Sequence, residues 1–184
     1  ALRFLRSLKE LNLERGWSLR SIALYTDGDE LEPYVRAADE TIELGPAMQN
    51  GINAYVNKEH ILQHLLEHRV DAVWPGWGFL SEDADFVAML EQQDIIFIGP
   101  SSTAMRQLGD KIASKELAAE CGVPMAPWSK LSAQIASEAL HQQASAIGFP
   151  LMLKASAGGG GRGIRKVDSI DELDTALSAV QAEV

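Results

Sequence analysis

The sequence predicts an α/β protein: a parallel sheet covered by helices, a helical connector, and then the start of a second strand-and-helix unit. Three observations carry that expectation. Short apolar runs alternate with amphipathic stretches between Ser21 and Ile98, Gly- and Pro-bearing turns punctuate them, and a strand, glycine run and second strand follow Phe149. The opening segment repeats Leu2, Leu5, Leu8 and Leu11 at helical spacing. Strands are expected at 22–25, 41–44, 72–74 and 95–98, with helices over 57–68 and 83–92 between them. Two connector helices follow at 101–108 and 110–121, the second begun by Asp110 as N-cap and closed by Gly122 and Pro124. The last unit reads as a strand over 125–128, a helix over 137–147, strands at 151–154 and 164–167, and a helix from 170 striped by Leu173, Leu177 and Val180. Boundaries fall near 99 and 127. The uncapped opening helix and the closing helix without a turn signal read as the ends of a piece of a longer chain.

Composition narrows the function. The 184 residues are 46% apolar and 23% charged, ordinary globular values. Against 26 acidic residues stand 16 basic ones, a net charge of −10, which argues against a surface-wide grip on nucleic acid. An anion site has to be local. The single cysteine, Cys121, excludes an intramolecular disulfide and a cysteine zinc cluster and suits a reducing, cytoplasmic setting; it reads as a core or near-core residue. No apolar run approaches the roughly 20 residues of a membrane span.

In parallel α/β sheets ligands sit beyond the strand C-termini, which here carry Thr26-Asp27-Gly28, Pro75-Gly76-Trp77-Gly78 and Gly99-Pro100. The richest segment lies later, where Lys154, Arg162, Arg165 and Lys166 flank four successive glycines with no acidic residue among them. Glycine backbone N–H groups can approach phosphate oxygens closely. The P-loop pattern G-x-x-x-x-G-K-[ST] is absent, and a dinucleotide fingerprint needs a helix where 164–167 reads as a strand. A hairpin flap with Lys154 aimed at phosphates is the reading that remains, beside the plainer one of a flexible linker.

Lesser signals have plainer readings. His60, His64 and His68 repeat every four residues, a spacing that can hold a metal, yet they read as a solvated helix flank with Glu67 the lone carboxylate candidate. Glu82, Asp83 and Asp85 read as a helix N-terminus. Trp74, Trp77 and Phe79 read equally as packing or as a binding surface.

Lys154-Ala-Ser-Ala-Gly-Gly-Gly-Gly-Arg-Gly163, with Phe97-Ile-Gly-Pro-Ser101, Leu108-Gly-Asp-Lys111 and Pro75-Gly-Trp-Gly-Phe-Leu-Ser-Glu82, resembles the biotin carboxylase component of biotin-dependent carboxylases, an ATP-grasp enzyme. Residues 72–78, 104–106 and 127–129 look most like the multidomain acetyl-CoA carboxylases of that family. The resemblance implies a Rossmann-like pre-ATP-grasp domain over 1–98 lacking its first strand, a connector over 99–126, and a truncated ATP-grasp lid over 127–184. It implies that ATP, with Mg2+, phosphorylates bicarbonate and that biotin on a carrier captures the resulting CO2. By position, Lys111 and Lys154 would contact ATP, Gly160 and Gly161 would cover its phosphates, and Ile164 would pack on adenine. Trp77 and Gly78 would lie near biotin. The family's metal-binding and catalytic residues fall outside this chain, so the piece alone is expected to be inactive. Implied partners are biotin carboxyl carrier and carboxyltransferase domains or subunits, and a second copy in a homodimer. The alternatives are another ATP-grasp ligase, of the carbamoyl-phosphate synthetase type, and a non-catalytic nucleotide-binding module.

Overall fold

The computed structural model describes residues 1–131, 135–155 and 163–183. The chain forms two compact units, Ala1–Arg106 and Gln107–Val184.

The first unit begins with α1 (Leu2–Arg15), which Gly16 terminates at φ 66, a left-handed cap that glycine adopts without steric cost. Strand β1 (Ile22–Tyr25) is followed by a 3₁₀ turn over Asp27–Asp29, the short helix α2 (Pro33–Ala37) and β2 (Glu40–Glu43). The two strands pair in parallel with Ile22 opposite Glu40. Asp39 locks their start: its Oδ2 accepts the Ser21 backbone N–H at 2.8 Å and the Ser21 hydroxyl at 2.7 Å. Those bonds hold the Asp39 carboxyl below its ordinary pKa, the backbone donor contributing most. A hairpin of β3 (Met48–Gln49) and β4 (Ile52–Asn53) turns at Asn50 and Gly51, both at positive φ, as Asn-Gly hairpin turns require.

Helix α3 (Lys58–Glu67) is capped by the Asn57 side chain, which accepts from the His60 N–H at 3.2 Å. After β5 (Ala72–Val73), Asp83 caps α4 (Ala84–Glu91), taking the Phe86 N–H at 2.8 Å and the Lys58 ammonium at 3.1 Å. Strand β6 (Ile96–Phe97) pairs in parallel with β5, Ala72 opposite Ile96. The expected sheet is thus two parallel pairs, because among the described residues no hydrogen bond joins β1 to β5. One apolar core serves both: Ile42, Leu44, Ile61, Leu65, Phe86 and Leu90 are buried together. Burying each of the larger of these side chains is worth about 1.5–3 kcal/mol.

Helix α5 (Ser102–Gly109) runs across the boundary, and α6 (Lys111–Glu120) starts on Asp110, whose carboxylate accepts the Ile112 and Ala113 N–H groups at 2.8 and 2.7 Å. No strand forms over 125–128, contrary to expectation: Pro127 removes a backbone donor inside the stretch. Helix α7 (Ser137–Ile147), strands β7 (Leu151–Lys154) and β8 (Ile164–Val167), and α8 (Leu173–Ala182) complete the second unit. The strands pair antiparallel, and Leu140, Ala144, Leu151, Leu153, Val167 and Leu173 share its core. No helix among the described residues is long and apolar enough to cross a membrane.

Candidate functional site

The hairpin of the second unit brings Lys154 and Ile164 together as directly opposite residues, with Met152 opposite Lys166. Opposite residues of an antiparallel pair share a face, and the pleat repeats every two residues, so these four side chains line one face. Leu151, Leu153 and Val167 occupy the other and are buried in the core, whereas Met152 is 50% exposed and Ile164 37%. The open face therefore presents apolar surface beside a lysine. Its end is closed by the Ala155 N–H donating to the Gly163 carbonyl at 2.8 Å and by Gly163 at φ 66, whose N–H donates to Glu183 at 3.0 Å. Gly160 and Gly161 lie outside the described residues.

The expected cluster of cations is partly neutralised. Arg165 pairs with Glu183, the C-cap residue of α8, and Lys166 with Asp168 at 2.5 Å. Lys154 is exposed and has no hydrogen-bond or ion-pair partner among the described residues. Arg162 lies outside the described residues. Among the described cations of the hairpin, Lys154 is the one left to meet an external anion, and its ammonium suits a phosphate as a mobile point charge. The Met152–Ile164 surface beside it suits a flat apolar ring. Lys111 is the first residue of α6, where the Asp110 cap fixes the helix start.

In the first unit the loop after β5 carries Trp77, 96% exposed, and Gly78 at φ 80. Trp74 is held differently: it stacks on Phe4 of α1 with ring centroids 4.5 Å apart. Tyr55, which the sequence patterns did not single out, joins two strand ends. Its hydroxyl accepts the Thr26 N–H beyond β1 at 3.1 Å and donates to Asp29 at 2.5 Å, while its ring lies 5.3 Å from that of Phe79. Burial, then the Asp29 carboxylate, raises the Tyr55 pKa, so the phenol stays protonated and can donate. The loop bearing Trp77 and Gly78 is thereby tied, through Phe79, to the C-terminal end of β1. Thr26 and Phe79 lie in turns that the sequence singles out, but Tyr55, which joins them, has no distinctive spacing.

Cys121 is exposed rather than near a core, since it caps α6, a helix with no buried residue. The helix N-terminus expected at Glu82, Asp83 and Asp85 is there, with Asp83 as its cap, and Asp85 pairs with Arg106 at 2.8 Å.

Residues 1–105 match the family model "Biotin carboxylase, N-terminal domain", and residues 110–184 match "Carbamoyl-phosphate synthase L chain, ATP binding domain". The chain belongs to the biotin carboxylase family. The biotin carboxylase of Haemophilus influenzae is 38% identical over all of this chain and 39% of its own length. Pyruvate carboxylase 1 of Caenorhabditis elegans is also 38% identical, again over the whole chain but 15% of the relative. The crystal structure of a biotin carboxylase-β,γ-ATP complex from Campylobacter jejuni superposes with a TM-score of 0.84 at 36% identity, covering 99% of this chain and 39% of that one. The chain thus spans about two fifths of the length of these biotin carboxylases. Acetyl-CoA and methylcrotonoyl-CoA carboxylases occur among the other relatives.

Proposed function

We propose that this chain is the N-terminal part of an ATP-dependent biotin carboxylase, which uses ATP and bicarbonate to carboxylate biotin on a carrier. The observation that carries the reading is the open hairpin face, on which Lys154, without a partner among the described residues, stands opposite Ile164 at the base of a glycine-rich segment. Lys154 and Lys111 are the residues that would neutralise ATP phosphates, with Gly160 and Gly161 supplying close backbone donors and Ile164 the adenine contact. Enclosure by the glycine-rich segment would keep water from a mixed anhydride of phosphate and carbonate. Trp77 and Gly78, on the loop tied down through Tyr55, are proposed to approach biotin. The regions 1–98, 99–126 and 127–184 serve in this reading as pre-ATP-grasp domain, connector and part of the lid. Biotin carboxyl carrier and carboxyltransferase components, and a second copy of the chain, are the proposed partners in the cytoplasm. The proposed final acceptor is an acyl-CoA, and acetyl-CoA is favoured by residues 72–78, 104–106 and 127–129. Magnesium and the catalytic step are assigned to residues beyond this chain, so the chain by itself is proposed to be inactive.

The test is Mg-ATP binding to the whole protein that carries this chain. Losing a charge-assisted phosphate contact worth about 1.5–3 kcal/mol weakens binding by roughly 10- to 100-fold, so Lys154→Ala should lower ATP affinity by that factor and biotin-dependent ATP hydrolysis with it. Unchanged ATP affinity in Lys154→Ala would overturn the assignment.

A further inference from the structure

The flank of α3 that reads as merely solvated gathers metal-binding donors at its C-terminal turn. His64, Glu67 and His68 each bring one ligand atom within 4.8 Å of the others. The His64 Nδ1 is buried without a hydrogen-bond partner, and the Glu67 Oε2 lies 3.7 Å from it. That separation is too long for a hydrogen bond. It is close to the distance between two ligands of one tetrahedral zinc, roughly 3.3 Å when each lies about 2.0–2.1 Å from the metal.

The surrounding bonds orient the donors. The His68 Nδ1 lies 2.9 Å from the His64 carbonyl. A carbonyl only accepts, so Nδ1 carries the proton and Nε2 keeps its lone pair for a metal. The Gln63 amide donates to the Glu67 Oε1 at 2.8 Å, leaving Oε2 toward His64. A backbone carbonyl behind one imidazole and an amide behind the carboxylate are the outer contacts that metal ligands use. The helix C-terminus, with its carbonyl ends, favours a cation there. Glu67 and His68 are exposed, which leaves room for water as a fourth ligand.

We propose that His64, Glu67 and His68 form a surface site for a borderline divalent transition metal, Zn2+ foremost. Two imidazoles and one carboxylate suit Zn2+, while Mg2+ and Ca2+ require mostly oxygen donors. The site is independent of the nucleotide reading, because it lies on α3 in the first unit.

The experiment is calorimetric titration of the protein with Zn2+ alone, with Co2+ absorption as a second readout of the ligand set. The expected result is one equivalent bound, with intense visible Co2+ bands typical of low coordination number. His68→Ala and Glu67→Gln should each weaken Zn2+ at least about tenfold, and Gln63→Ala should do so by about tenfold through the carboxylate it orients. His141→Ala, which removes an imidazole in the second unit, should leave affinity unchanged. Thermal melts without metal confirm that each variant is folded. Absence of stoichiometric Zn2+ binding by the wild type, or wild-type affinity in folded His68→Ala and Glu67→Gln, would overturn the proposal.

Discussion

Replacing Gly163 by alanine tests how the hairpin end that carries Lys154 and Ile164 is held. Gly163 sits at φ 66 immediately before β8, its carbonyl accepting the Ala155 N–H at 2.8 Å and its own N–H donating to Glu183 at 3.0 Å. An L-residue in this left-handed region brings its Cβ close to the neighbouring carbonyl, at a cost of about 1–2 kcal/mol. The two hydrogen bonds oppose relaxation to negative φ, since losing them costs about 0.5–1.5 kcal/mol each. The alanine variant should therefore keep the turn and carry the strain. For a domain of this size, 1 kcal/mol corresponds to about 4–8 °C, so the second unit should melt roughly 4–16 °C lower. Asparagine tolerates the left-handed region better, so Gly163→Asn should lose less than Gly163→Ala. A Gly163→Ala melt indistinguishable from wild type, or a larger loss in Gly163→Asn, would refute the reasoning.

Two further perturbations address the first unit. Asp83→Ala removes both the α4 cap, worth about 0.5–2 kcal/mol, and the Lys58 pair, worth about 0.2–1 kcal/mol, whereas Asp83→Asn and Lys58→Ala lose the pair alone. Urea midpoints should rank Asp83→Ala as the most destabilised, and equal losses in all three would show that the cap contributes nothing. Asp39 has a folded pKa below its unfolded value, so its stabilisation is present above the ordinary carboxylate range and is lost as pH falls through the folded pKa. The melting-temperature advantage of wild type over Asp39→Asn should shrink as pH is lowered from about 6 to about 3, and growth of that advantage on acidification would contradict the bonding at Ser21.

What the sequence by itself determined was set by short-range chemistry. Helices α3, α4 and α6 begin where Asn57, Asp83 and Asp110 can cap them, because a cap needs only a side chain two or three residues before its donor. The strands Ile22–Tyr25 and Leu151–Lys154 fall where apolar runs meet turn residues, Ile164–Val167 follows the glycine run, and four ordered motifs were enough to suggest the family. The β3–β4 hairpin was also written locally, in Asn50-Gly51, but its two-residue strands are too short to show periodicity. The expected strand over 125–128 failed because an apolar run does not create the neighbour whose hydrogen bonds a strand requires. Only the tertiary structure decided which charges are already paired, as Arg165 is by Glu183, and that Lys154 has no partner among the described residues. It likewise decided that Tyr55 joins the end of β1 to the loop after β5, and that the Glu67 carboxylate turns toward His64. These outcomes depend on register, side-chain direction and contacts between residues distant in the chain, quantities that no local pattern of residue types encodes.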